Sequence, residues 1–138
     1  MRTVKPPLEN SATELPIEFS LIIPSTRDDD ERISDGWFER RIKEEEKWWD
    51  KRFGGSTIEL HEGQYVEGDH IIEEDVAELT VSMSKETYEE WRKMIGNRIR
   101  QKKQAWKQDT ILYKINGHAF IYPDKEYIEG EDVKEVPI

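Results

Sequence analysis

The sequence predicts an α+β fold of ferredoxin-like, split βαβ plan: an antiparallel sheet with two amphipathic helices on one face and an added C-terminal hairpin strand. Three observations predict it. Apolar residues alternate with a period of two near residues 17–24 and 75–83. Two longer segments repeat apolar residues at helical spacing, one behind Ser34 and one behind Ser84. Asn116-Gly117 stands between Thr-Ile-Leu-Tyr-Lys-Ile and His-Ala-Phe-Ile-Tyr, and Asn-Gly accommodates the two φ > 0 residues of a type I′ hairpin turn.

Residues 1–16 hold three of the six prolines and no repeating apolar pattern, so they read as a flexible arm before a single domain over 17–122. In the first strand Ile17, Phe19, Leu21 and Ile23 share one side, and Pro24 ends the pattern. The run from Ser25 to Arg32, with Asp28-Asp29-Asp30-Glu31 at its centre, is too charged to pack and reads as an exposed loop. Ser34 or Asp35 caps the first helix, and Gly54-Gly55 supplies the left-handed position at which it stops. At 100° per residue Phe38, Ile42, Trp49 and Phe53 form its core stripe.

After the glycines, Ser56–His61 and Gln64–Val66 read as one strand kinked at Glu62-Gly63 and closed by Glu67-Gly68-Asp69. A hairpin partner follows at about Asp75–Met83, with Ala77, Leu79, Val81 and Met83 on one face. The second helix carries acids in its first turns and only basic charges from Arg92 to Lys107, an order that suits the helix dipole. Tyr88, Trp91, Ile95, Ile99 and Trp106 form its core stripe; Lys102 falls on the same stripe, so its stem is expected over apolar neighbours with its ammonium in water. The acidic segment 123–138 reads as a mobile tail. Both helices then cover one sheet face. The other is left with Ile22, Val76 and Tyr113, a candidate surface for a second copy or a protein partner.

Composition narrows the function classes. The chain has no cysteine, which removes disulfides, thiolate catalysis and Cys-based metal sites together. It shows neither a signal-type apolar segment nor a run approaching the length of a membrane span, so a cytoplasmic location is expected. A formal net charge of −10 disfavours sequence-independent attraction to nucleic acid or anionic lipid.

Phe53-Gly54-Gly55-Ser56-Thr57, Glu62-Gly63-Gln64-Tyr65, Glu73-Glu74-Asp75 before a strand, and Trp106 with Gln108 before Ile111 together resemble a loose group of short, uncharacterised bacterial and phage-type proteins of ferredoxin-like fold. The resemblance covers roughly residues 17–122 and its motifs are structural: the Gly pair ends a helix and the aromatic fills a core. It implies a fold and no reaction.

The chemistry-bearing residues are few. His61, His70 and His118, with Asp69, Glu73, Glu74 and Asp75, offer imidazoles and carboxylates without a spacing that forces them together, so solvated histidines are the simpler account than a metal site. Gly54-Gly55-Ser56 follows a helix, whereas anion cradles precede one. The acids at 28–31 lack the alternate spacing of a calcium loop. Arg92, Arg100, Lys103 and Lys107 make a basic stripe on the second helix, read as an ordinary exposed face. Trp37, Arg41 and Trp48 share one side of the first helix, and Trp and Arg dominate binding hot spots. They are the candidate partner-binding residues, with packing at the core edge as the plainer account. The expectation is therefore a non-enzymatic interaction or assembly module with no cofactor and no metal. The alternative is a small enzyme using His61 or His70 with a nearby carboxylate as general base.

Overall fold

The computed structural model describes residues 6–8, 12–28 and 31–123, with the side chains of 65–67, 70, 72 and 73 outside the description. In chain order the elements are β1 (Ile17–Pro24), β2 (Thr26–Arg27), β3 (Glu31–Arg32), α1 (Asp35–Phe53), β4 (Thr57–Glu67), β5 (His70–Met83), α2 (Lys85–Ala105), β6 (Ile111–Ile115) and β7 (His118–Tyr122). Five of the strands form one sheet in the order β4-β5-β1-β6-β7, and each described ladder is antiparallel. Helix α1 links β1 to β4 across β5, and α2 links β5 to β6 across β1. This is the expected ferredoxin-like plan with β7 added at the edge. No helix among the described residues is long and apolar enough to cross a membrane.

The helix limits follow from their caps. Ser34 is extended and its Oγ accepts from the Trp37 N–H at 3.2 Å, while Gly54 sits at φ 84° and donates its N–H to Asp50 O at 2.9 Å. Ser84 Oγ accepts from the Thr87 N–H at 3.1 Å. Asn116 and Gly117 take φ of 51° and 81°, as the hairpin requires. The Asn116 side chain also accepts from the Glu18 N–H at 2.7 Å, tying the turn to β1.

Phe19, Leu21 and Ile23 of β1 and Ala77, Leu79, Val81 and Met83 of β5 bury their side chains under the helices. Trp49 has no exposed surface and stacks on Phe19 at 5.1 Å between centroids. Tyr88, Ile95, Ile99 and Trp106 seal the core from α2, with Phe38, Ile42, Phe53 and Trp91 half-buried around it.

Four expectations are corrected. Tyr113 belongs to the covered face, because its register partner is Leu21; it stacks between Phe19 (5.8 Å) and Phe120 (5.3 Å). The β4–β5 hairpin is unkinked and longer than its alternation suggested, running in one register from Thr57↔Thr80 to Glu67↔His70. Gly63 does not break it: a Cβ there would lie 3.1 Å from Glu74 O, so the glycine permits close strand approach. The charged run after β1 folds into the small β2–β3 ribbon, turning at Asp28 with φ 29°; Asp29 and Asp30 lie outside the described residues.

The fourth concerns Lys102. Its ammonium turns inward to Glu45, 3.5 Å away, rather than out to water. Glu45 has no exposed surface although it lies on the core side of α1. Arg98 grips it with two hydrogen bonds, Nε to Oε1 at 3.0 Å and Nη2 to Oε2 at 2.7 Å, and Trp49 Nε1 donates to Oε1 at 3.4 Å. The two helices are thus joined by a buried carboxylate with three donors, a geometry that satisfies what burial takes from water.

Burial raises the Tyr88 and Tyr113 phenols above their ordinary value of 10.0. A group whose folded pKa lies above its unfolded one contributes stability that is intact below the unfolded value and is lost as pH climbs through the folded one. Through these two phenols, unfolding midpoints in urea are expected to hold from about pH 8 to about pH 10 and to fall above it, against the opposite contribution of Arg41, whose pKa burial lowers to about 10. The fall should be shallower in Tyr113→Phe; equal slopes would remove the buried phenol as its source.

Candidate active site

The β2–β3 ribbon is locked against the ends of β1 and α2 by a set of carbonyl contacts. Arg41 Nη1 donates to Pro24 O and Thr26 O, both at 2.8 Å, and Nη2 to Trp106 O at 3.4 Å. Gln108 Nε2 donates to Thr26 O at 2.6 Å and to Trp106 O at 3.0 Å, and the Asp28 N–H donates to Lys107 O at 3.0 Å. Two depressions flank this corner and share Arg27 and Lys107.

The first is a cleft of about 480 Å³ that includes the open-face residues Ile22, Val76 and Leu112. These, with Ile111, give it an apolar floor, and Asp28, Glu74, Asp109, Thr110 and Gln108 supply polar groups around it. Three carboxylates face two cations, Arg27 and Lys107, so the cleft favours a cation. Glu74 is half-buried and accepts from Thr26 Oγ1 at 2.8 Å, which fixes its direction. An apolar floor with a few fixed polar groups is the usual form of a small-molecule site.

The second is a groove of about 390 Å³ between the ribbon, the first half of α1 and the end of α2. Its lining has the opposite sign: Arg27, Arg32, Arg40, Arg41, Lys102 and Lys107 against Glu44 alone. Burial lowers the Arg41 pKa to about 10, with Glu74 opposing the shift and Arg27 adding to it.

Of the sequence-predicted residues, Trp37 and Arg41 both line the groove, Trp37 with 60% of its surface exposed. Trp48 stands apart. It lies 11 residues further along α1, roughly 16 Å along the axis, half-buried between Arg52 (4.2 Å) and Arg98 (4.9 Å) and edge-on to Trp49. His61 lies on the open sheet face, 3.2 Å from Glu78 Oε1 and 3.5 Å from Glu59 Oε2, paired across the strands with Val76 at the cleft margin. His118 is exposed at the hairpin turn, and the side chain of His70 lies outside the described residues. Of the basic stripe, Arg92 and Arg100 are half-buried, Arg100 over the Tyr122 ring at 5.9 Å, and Lys107 pairs with Asp28 at 3.8 Å. Among the described residues, no group of three or more His, Asp or Glu is placed to hold a metal ion.

Sequence reasoning did not single out Glu74, Thr26 and Gln108 as a set. The period of two does put Glu74 on the face of Val76 and Glu78, but only the ribbon brings Thr26 to it.

No protein family and no curated protein matches the sequence. Among solved structures the architecture has a counterpart. Its fold is similar to that of a phage SAM lyase. The lyase in complex with S-methyl-5′-thioadenosine superposes with a TM-score of 0.59 at 12% identity, over 88% of this chain and 99% of that one. The apo form gives 0.54 at 12% identity, over 81% and 92%. This corrects the expectation of a non-enzymatic module: nearly the whole length of an enzyme is laid out on this same plan. The sequence missed it because the shared features are strand order and helix placement, which leave no short motif at this identity.

Proposed function

We propose that this chain is a small lyase acting on a sulfonium nucleoside of the S-adenosylmethionine type, and that the acidic, apolar-floored cleft is its active site. The full-length similarity to a phage SAM lyase carries the reading. The charge of the cleft supports it, since the substrate bears a sulfonium and an ammonium against one carboxylate and is a net cation.

The chemistry suits such a site. In a lyase reaction that releases S-methyl-5′-thioadenosine, the substrate's own carboxylate oxygen attacks its Cγ. The new C–O bond closes a five-membered lactone, the Cγ–S bond breaks, and its electron pair neutralises the sulfonium. No water enters and no proton moves, so no histidine base is needed. Charge at sulfur vanishes on the way to the transition state, so an apolar floor of Ile22, Val76 and Leu112 beneath the sulfonium favours the reaction. Glu74, oriented by Thr26, takes the ammonium, whose charge persists into the product. The cleft thereby holds the methionyl chain folded, which removes conformational entropy that the ring closure would otherwise cost.

The test is to incubate the purified chain with S-adenosylmethionine and follow S-methyl-5′-thioadenosine by chromatography. Release well above the buffer rate is expected. Release at the buffer rate, with calorimetry showing no binding of either compound, would refute the assignment.

A further inference from the structure

The basic groove is not used by this reaction, and its charge is wrong for a cationic substrate. On a chain of net charge −10 its lining gathers six cations and one carboxylate, Glu44, with Lys102 and Lys107 paired to Glu45 and Asp28 outside the lining. Among the described residues Arg40 makes no ion pair or hydrogen bond, and its guanidinium lies 5.0 Å from the centroid of the Trp37 ring. Among the described residues Arg41 donates to three neutral carbonyls, with Glu74 as the opposite charge acting on it. Arg27 and Arg32 are held by exposed pairs at 3.3–3.5 Å to Glu31, Asp35 and Asp75, which phosphate oxygens replace at little cost. Trp37 is the exposed indole beside them, whereas Trp49 and Trp106 are buried.

Cations able to grip phosphate beside an exposed aromatic face make a specific combination. From it we infer that the groove is a second ligand site, for a nucleoside polyphosphate whose phosphates meet Arg27, Arg32 and Arg40 and whose base stacks on Trp37. The size favours a mononucleotide over a polymer, since about 390 Å³ lies within the usual range for one small ligand. Stacking on an indole tolerates any base, so the phosphates set affinity and the ring adds to it.

Calorimetric titration of the full chain with ATP tests this, with adenosine, inorganic tripolyphosphate and a single-stranded oligonucleotide as comparison ligands. ATP should bind at least tenfold tighter than adenosine or tripolyphosphate, and more tightly than the oligonucleotide. Arg40→Ala and Trp37→Ala, both at exposed positions, should each weaken ATP by about tenfold. Saturating S-methyl-5′-thioadenosine carries no charge and should leave ATP binding unchanged, which separates this site from the cleft although the two share Arg27 and Lys107. The assignment is overturned if neither groove variant weakens ATP, if adenosine or tripolyphosphate binds as well as ATP, if the oligonucleotide binds more tightly, or if S-methyl-5′-thioadenosine displaces ATP.

Discussion

Arg98→Met is expected to destabilise the fold by about 3–5 kcal/mol, the range for removing one partner of a buried ion pair. Arg98 supplies both short hydrogen bonds to Glu45, which has no exposed surface, and its removal leaves the carboxylate with the more distant Lys102 and Trp49 donors. The methionine keeps the volume over Trp48, so the loss reads as electrostatic rather than as a cavity. Removing the charge as well changes the outcome. Glu45→Met combined with Arg98→Met removes the desolvated pair and should recover part of that loss, ending about 1–3 kcal/mol below the parent because the buried Trp49 Nε1–H and Lys102 lose their acceptor. Urea unfolding of the parent, the single and the double variants measures both. A single variant within about 1 kcal/mol of the parent would show that Lys102 and Trp49 suffice for Glu45.

Glu74→Gln is expected to lower kcat/KM for S-methyl-5′-thioadenosine release by about 100-fold, or ~2.7 kcal/mol, mostly through KM. The reason is that the ammonium this carboxylate binds is charged in both ground and transition states, so its contribution is largely uniform binding. Thr26→Val, which removes only the hydroxyl orienting Glu74 at 2.8 Å, should cost about tenfold. Glu78→Gln provides the contrast. Glu78 shares the open face but lies outside the cleft, with His61 at 3.2 Å and Lys114 at 3.4 Å, and its loss should change kcat/KM less than about twofold. The reverse pattern, with Glu78→Gln inactive and Glu74→Gln unaffected, would move the chemistry to the His61–Glu78 pair and revive a general-base mechanism.

How much of this was legible in the sequence depends on the range of the interaction. The helices around Trp49 and Ile95, the alternation through Phe19 and Leu79 and the Asn116-Gly117 turn all arise from neighbours within a few residues, and the local pattern specifies them. The placement of Tyr113 was not legible, because in a short strand with apolar residues on both faces only the register with β1 decides which one is covered. Glu45 was equally hidden. A carboxylate on a helix reads as solvated until a second helix, 53 residues away, brings Arg98 onto it. Trp37 and Arg41 were visible as a pair of binding residue types, but that they line a cationic groove required Arg27, Arg32 and Lys102 from other elements.

By itself the sequence determined the fold class, the helix caps, the first and last hairpin signals and most of the core face, since each is set by covalent spacing and the burial of nearby apolar groups. The tertiary structure alone decided the sites. Glu74 meets Thr26 and the cations gather at Trp37 because the ribbon docks on the ends of β1 and α2, and contacts between residues far apart in sequence leave no periodic trace in the chain.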